Sequence, residues 1–278
     1  MVRHHTVRHH FHAGTSQALP SDVQERDVVA VVVEQRGAPR AAVEHVEHGP
    51  LQCVPKTPGH RFDASLRVTI RKVDASRKRS PTPILGVLIS GRGSNLKAII
   101  DAIADGRLDA TIAVVISNRA DAPGLAHARR AGIETLVLNH RTFATREDFD
   151  RAMVNELNVR GVTLVCLAGF MRLLSPLFVE AFAGRILNIH PSLLPKYPGL
   201  HPQQQALDDG AAVSGATVHV VNTELDAGPV VLQREVPVLP GDTAETLAAR
   251  ILEVEHHLYP DAIRLVLQDA ATARPAGA

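Results

Sequence analysis

Beyond residue 83 the sequence alternates short apolar runs with segments whose apolar residues recur at helical spacing, and few folds accept that order. Ile84–Ile89 is an apolar run, and Ser90-Gly91-Arg92-Gly93-Ser94-Asn95 follows it. Leu96, Ile99, Ile100 and Ile103 then fall at i, i+3, i+4 and i+7, one face of a helix. Thr111–Ile116 repeats the strand signal, Leu125–Ala131 reads as a short helix closed by Gly132, and Glu134–Leu138 reads as a third strand. Thr145 is placed to cap a helix carrying Phe149, Met153 and Leu157, with Gly161 as its stop. Thr163–Leu167 and Arg185–His190 are the fourth and fifth strands. Such strands, separated by helices, predict an α/β fold with an open twisted sheet, its N-terminal half Rossmann-like, mostly parallel and covered on both faces.

The pattern then changes. Ala216–Val221 and Val230–Val236 read as two strands joined by a loop, a mixed, antiparallel C-terminal part of the sheet. Asp242 and Glu245 predict a capping-box start to a long helix, with Leu247, Ile251, Val254 and Leu258 inward. Pro260 predicts a kink or a restart in it.

Residues 1–83 lack this order. Val28–Val33 is one apolar run, and Arg71–Ser80 holds charge clusters without helical or strand period. Five histidines crowd the start, at His4, His5, His9, His10 and His12. Neutral imidazoles bind divalent metals, but this composition fits a disordered or non-native extension better, with residues 84–278 as the working domain. Hydrophobic residues at 45% and charged residues at 21% are those of a soluble globular protein. No apolar run reaches the roughly 18 residues of a membrane span, and Met1–His12 lacks the apolar stretch of a secretory signal. Cys53 and Cys166 are the only cysteines, which excludes a disulfide framework and points to the cytoplasm. A net charge of +1 and 3% aromatic residues argue against a nucleic-acid partner.

Gly91–Asn95 lies between the first strand and the first helix. Glycines let the backbone turn sharply, and a helix start offers N–H groups and a positive dipole end, a combination that favours phosphate. Leu96 occupies the third glycine position of the dinucleotide fingerprint, and Ser117-Asn118-Arg119 lacks the acid that would hold a ribose diol. The Gly-Lys-Ser/Thr of a P-loop is also missing. A single phosphate fits the loop, as does a plain tight turn.

Asn188 and His190 alternate on the fifth strand and so share a face, roughly 6–7 Å apart. Pro191 ends the strand and leaves both at its carboxyl end, where open parallel sheets bind ligands. An amide donor beside an imidazole suits a reaction that builds negative charge on a carbonyl oxygen and moves protons. Asp226, after the sixth strand, would favour the charged form of His190 if the two met. Taken singly, each of these residues also fits an ordinary structural role.

Four segments in order, Ser90–Asn95, Ala168-Gly169-Phe170-Met171-Arg172, Asn188–Pro195 and Glu224-Leu225-Asp226, together resemble the phosphoribosylglycinamide formyltransferases. Lys196-Tyr197-Pro198-Gly199-Leu200-His201 is an especially specific part of that likeness, which runs from about Ile84 almost to the end. The resemblance implies the formyltransferase fold and a formyl transfer from 10-formyltetrahydrofolate to glycinamide ribonucleotide, with no metal. It implies Asn188, His190 and Asp226 as the catalytic residues. Gly93, Ser94, Asn95 and Glu255 would hold the ribonucleotide. Arg146, Met171, Arg172, Leu173, Leu174, Asn188, Asn222, Thr223, Glu224, Leu225 and Asp226 would line the folate site. Arg92 departs from the small or amide residue expected between the glycines. A formyltetrahydrofolate hydrolase, a tRNA-directed formyltransferase and a non-catalytic ribonucleotide-binding module are the rival readings. A monomer and a homodimer are equally compatible with the sequence.

Overall fold

The apolar runs become strands, and the helical spacings become helices that cover them. The computed structural model describes residues 28–34, 67–73 and 82–272. The chain divides between Arg79 and Ser80 into two units. In the first, β1 (Val28–Glu34) pairs antiparallel with β2 (Arg67–Val73), Val28 opposite Val73 and Glu34 opposite Arg67. Val28–Val33 thus lies in a strand, and so do Arg71–Val73, whose charges hide any strand period. The histidines at positions 4 to 12 lie outside the described residues.

The second unit runs β3 (Ile84–Ile89), α1 (Ser94–Ala104), β4 (Thr111–Ser117), α2 (Leu125–Arg130), β5 (Thr135–Val137), α3 (Arg146–Val159) and β6 (Leu164–Leu167). It continues through α4 (Pro176–Ala181), β7 (Ile186–His190), α5 (Pro202–Asp208), β8 (Val213–Val220), β9 (Val230–Pro237) and α6 (Ala244–Thr272). The seven strands lie in the order β5-β4-β3-β6-β7-β8-β9. The first five are parallel, and β8 and β9 are antiparallel additions at β7.

Strand alternation sorts the core into two layers. Val87 and Ile89 of β3 join Leu96 and Ile99 of α1, Leu125 of α2 and Leu247, Ile251 and Leu258 of α6. Leu88, between them, points to the other side, with Phe149, Met153 and Leu157 of α3 and Phe178 of α4. Each fully buried large side chain contributes roughly 1.5–3 kcal/mol. Both faces of the sheet are therefore covered, as parallel strands require.

The helix ends follow local chemistry. Thr145 Oγ1 accepts from Asp148 N and caps α3, while Gly161, at φ +66°, follows its end. At α6 the capping box belongs to Thr243 and Thr246, not to Asp242 and Glu245. Each hydroxyl accepts from the other residue's backbone N–H, at 2.9 and 3.3 Å. Asp242 is drawn away instead to a two-pronged pair with Arg250, both bonds at 2.8 Å. Pro260 does not restart the helix. One element runs to Thr272, because Tyr259, Ala262 and Ile263 around the proline are fully buried against the sheet. The short helices α4 and α5 carry no readable period; each opens on a proline, which suits a first helical turn.

Candidate active site

On β7, Leu187 and Ile189 point into the α6 layer, which turns Asn188 and His190 to the opposite face. β8 repeats the arrangement, with Ala216 and Val218 in the same core layer. Asn188 lies opposite His219 and His190 opposite Thr217 in the antiparallel register. Four polar side chains therefore share one patch of sheet near the end of β7. The Asn188 Nδ2 is 3.2 Å from His219 Nε2.

Asp226 reaches this patch from the loop between β8 and β9. The loop folds back tightly: Val220 N donates to Pro229 O at 2.8 Å. A Cβ on Gly228 would lie 1.7 Å from Val220 O, so only glycine permits the approach. Asp226 Oδ2 then lies 3.4 Å from His190 Nδ1, and Oδ1 lies 3.7 Å from His219 Nε2. Gly199 N adds a hydrogen bond to Oδ2 at 2.9 Å. Burial by itself would push the Asp226 carboxyl up. His219, the Gly199 N–H and the charge of His190 outweigh it and hold the group below the ordinary carboxylate range.

The proton arrangement on His190 follows from its neighbours. Its Nε2 is 2.9 Å from Tyr197 O, and a carbonyl only accepts, so Nε2 carries a proton. The other nitrogen, Nδ1, faces the Asp226 carboxylate at 3.4 Å. Tyr197 and Gly199 belong to a strap after β7 whose start is fixed by Leu194 N donating to Thr217 Oγ1 at 3.1 Å. A half-buried amide donor, a proton-bearing imidazole and an ionised carboxylate are thereby assembled within one patch. Such a set can stabilise an oxyanion and carry a proton between two nitrogens.

The glycine loop is built for close approach. Gly93 takes φ +71° at the head of α1, and no side chain caps that helix. A Cβ on Gly93 would lie 2.6 Å from Gly124 Cα, and Gly124 N donates to Gly91 O at 3.0 Å. Ser94 opens α1 and Arg92 is exposed. The next residue, Asn95, donates from Nδ2 to Glu255 Oε2 at 2.7 Å, across 160 positions. Burial pushes the Glu255 carboxyl up, only partly offset by Asn95. Asn95 Oδ1 is buried without a hydrogen-bond partner among the described residues, a polar atom suited to a ligand's donor. One turn after Glu255, the buried Tyr259 hydroxyl is within 2.9 Å of Leu187 O and 3.1 Å of Leu167 O. That contact ties α6 to the strand carrying Asn188.

The remaining expected residues surround this centre less tightly. Met171 and Leu173 are 74% and 62% exposed, whereas Leu174 packs into the α3 layer. Arg172 Nε is buried without a partner among the described residues. Asn222 Oδ1 accepts from Glu224 N, which shapes the loop, and Thr223, Glu224 and Leu225 are exposed. Arg146 opens α3, half-exposed beside Glu147 at 3.7 Å. Its charge acts on Asp150, whose carboxylate accepts from Ser175 N just after Leu174; no contact among the described residues joins Arg146 to Asn188. His219 is the central residue that sequence reading missed. Its signal, a histidine alternating with Ala216 and Val218, acquires meaning only once the register with β7 is known.

An α/β fold that brings an amide and an imidazole on β7 together with a carboxylate from the β8–β9 loop has the groups an acyl-transferring enzyme uses. The formyl transferase family model matches residues 85–263. Phosphoribosylglycinamide formyltransferase of Escherichia coli K12 is 53% identical over 174 residues, 63% of this chain and 82% of that protein. The trifunctional purine biosynthetic protein adenosine-3 of Drosophila pseudoobscura is 47% identical over 218 residues, 78% of this chain; the match spans only 16% of that protein. A solved glycinamide ribonucleotide transformylase from Symbiobacterium toebii superposes with a TM-score of 0.67 at 53% identity, over 68% of this chain and 89% of that one. The chain belongs to the formyl transferase family, in its phosphoribosylglycinamide formyltransferase branch.

Proposed function

We propose that the chain transfers the formyl group of 10-formyltetrahydrofolate to the primary amine of glycinamide ribonucleotide, a step of purine synthesis. The observation that carries this reading is the meeting of Asn188, His190 and Asp226 on one patch, with Nδ1 of His190 facing the carboxylate at 3.4 Å. The neutral amine attacks the formyl carbon, and a tetrahedral intermediate forms. Asn188 Nδ2 and protonated His190 stabilise its oxygen, and Asp226 stabilises the imidazolium. A proton passes from the attacking nitrogen to the departing folate nitrogen, and the carbon–nitrogen bond to folate breaks.

Gly93, Ser94 and Asn95 receive the phosphate end of the acceptor, and Glu255 its polar groups. Met171–Leu174 and Asn222–Asp226 border the folate, with Arg146 toward its acidic tail. Cys166 takes no part as a nucleophile, since burial pushes its thiol up to about 12. No helix among the described residues is long and apolar enough to cross a membrane, and the reading places the enzyme in the cytoplasm, with residues 84–278 as the working domain.

A spectrophotometric formyl-transfer assay tests this directly. Turnover with glycinamide ribonucleotide and little with water alone is the expected result. Water-only turnover would reassign the chain to hydrolysis, and ligand binding without turnover would make it a non-catalytic module.

A further inference from the structure

The segment Gly169–Leu174 presents a physical problem. Phe170 and Leu174 pack into the α3 layer, but Met171 and Leu173 are mostly in solvent, so hydrogen bonds must fix the backbone between them. Three such bonds are present. Ala168 N donates to Leu88 O at 2.9 Å, Ser90 N donates to Gly169 O at 3.1 Å, and Met171 N donates to Ser90 Oγ at 2.9 Å. Ser90 makes two of them.

Its hydroxyl is also constrained in direction. The backbone N–H of Met171 only donates, so Ser90 Oγ accepts there, and its own proton goes to Asn118 Oδ1 at 2.7 Å. Asn118 then turns its amide nitrogen toward His140 Nδ1, 3.4 Å away. Ser90 follows β3, Asn118 follows β4, and Met171 lies four residues past β6; in the sheet β3 is the strand between the other two. One buried hydroxyl thus stitches together the carboxyl ends of three adjacent parallel strands.

We infer that Ser90 is a positioning residue for the folate, setting the backbone of Met171–Leu174 through Met171 N while Asn118 aims its proton. This rests on the proposed function, which puts the folate against that segment. The ribonucleotide loop, although next in sequence, has anchors of its own in Gly124 N to Gly91 O and Asn95 to Glu255. The catalytic patch on β7 and β8 makes no contact with Ser90 among the described hydrogen bonds. Loss of the hydroxyl therefore acts selectively on one substrate.

The test uses the full chain and its Ser90→Ala, Ser90→Thr and Asn118→Ala variants. Steady-state transfer gives KM for each substrate and kcat, and calorimetry gives Kd for tetrahydrofolate as a non-transferring probe. Ser90→Ala should raise the folate KM and the tetrahydrofolate Kd about tenfold, the worth of one strong buried hydrogen bond. Ribonucleotide KM and kcat should stay within about twofold, because their anchors are untouched. Ser90→Thr should restore folate affinity, and Asn118→Ala should raise the same constants by a smaller factor. A folded Ser90→Ala variant with unchanged folate constants, or one that scales every constant alike, would overturn the assignment. If Ser90→Thr does not fold, the Asn118→Ala constants decide in its place. A wild-type chain that binds tetrahydrofolate without transferring formyl would overturn the functional reading while calorimetry still decides on Ser90. One that does not bind it would overturn both.

Discussion

Asn188 and His219 face one another across β7 and β8, with the amide nitrogen 3.2 Å from the imidazole Nε2. The same Nε2 lies 3.7 Å from Asp226 Oδ1, and Nδ1 lies 3.3 Å from Val220 O, so the ring is held from both sides. In the proposed reaction, His219 orients the Asn188 amide. His219→Ala should lower kcat about tenfold with KM little changed, consistent with losing one orienting hydrogen bond. An unchanged kcat in stopped-flow or steady-state transfer would remove His219 from this role.

Asn188→Ala and His190→Ala probe the oxyanion directly. Removing one preorganised donor costs about 10²–10³ in kcat, and His190 supplies proton transfer as well, so its loss should be the larger. Both variants should keep the circular dichroism spectrum of the parent. Near-normal turnover in His190→Ala would sink the mechanism.

Asp226→Asn separates charge from shape. The folded carboxyl is held below its ordinary range, so its ionised contacts stabilise the fold fully above the unfolded value of about 3.9. That contribution is lost as pH falls through the lower, folded value. The variant should therefore have a lower Tm than the parent near pH 7, and the gap should close below about pH 4. Its kcat should fall by about two orders of magnitude, because His190 Nδ1 loses its carboxylate partner.

Glu255→Gln should show the opposite stability trend. Burial raises this carboxyl, so folding bears no penalty below its ordinary value near 4.5. The penalty grows as pH rises toward the folded value and is complete above it. A glutamine side chain keeps an acceptor for Asn95 and carries no charge, so the variant should melt higher than the parent at neutral pH and equally near pH 4. Its KM for glycinamide ribonucleotide should rise about tenfold through the lost charge-assisted contact. Differential scanning fluorimetry across pH, paired with kinetics, separates the two effects.

A chain begun at Pro83 should fold and transfer formyl with kcat and KM within about twofold of the full chain, since truncations away from buried backbone are tolerated. This follows from the match to residues 85–263 and from a described core assembled wholly from residues beyond 83. Loss of the cooperative melt in that truncated chain would show that the first 83 residues support the domain.

Local order explains how far the sequence can be read. β3 to β7 are legible because each strand, and each helix between them except α4, announces itself within a few residues, and Asn188 and His190 because alternation along one strand is a local property. His219 is not legible, because its meaning depends on which residue of β7 it opposes. The Asp226–His190 contact likewise depends on a loop that closes only through Gly228. At α6 the sequence offers two neighbouring capping pairs, and the rival attraction of Arg250 for Asp242 decides between them. Pro260 misleads because burial of its neighbours outweighs the local cost of a proline inside a helix.

The Asn95–Glu255 bond has a consequence for how the protein is made. Every residue proposed to act on the formyl group, from Asn188 to Asp226, has been translated before Glu255 is added. The acceptor pocket is completed last, when α6 docks and joins residues 160 positions apart, and long-range contacts of this kind form late in folding. A prematurely terminated chain would lack both that contact and the α6 side chains packed beneath β7, Leu258 and Tyr259 among them. One helix, α6, thus joins the proposed acceptor site to the core under the strand that carries Asn188.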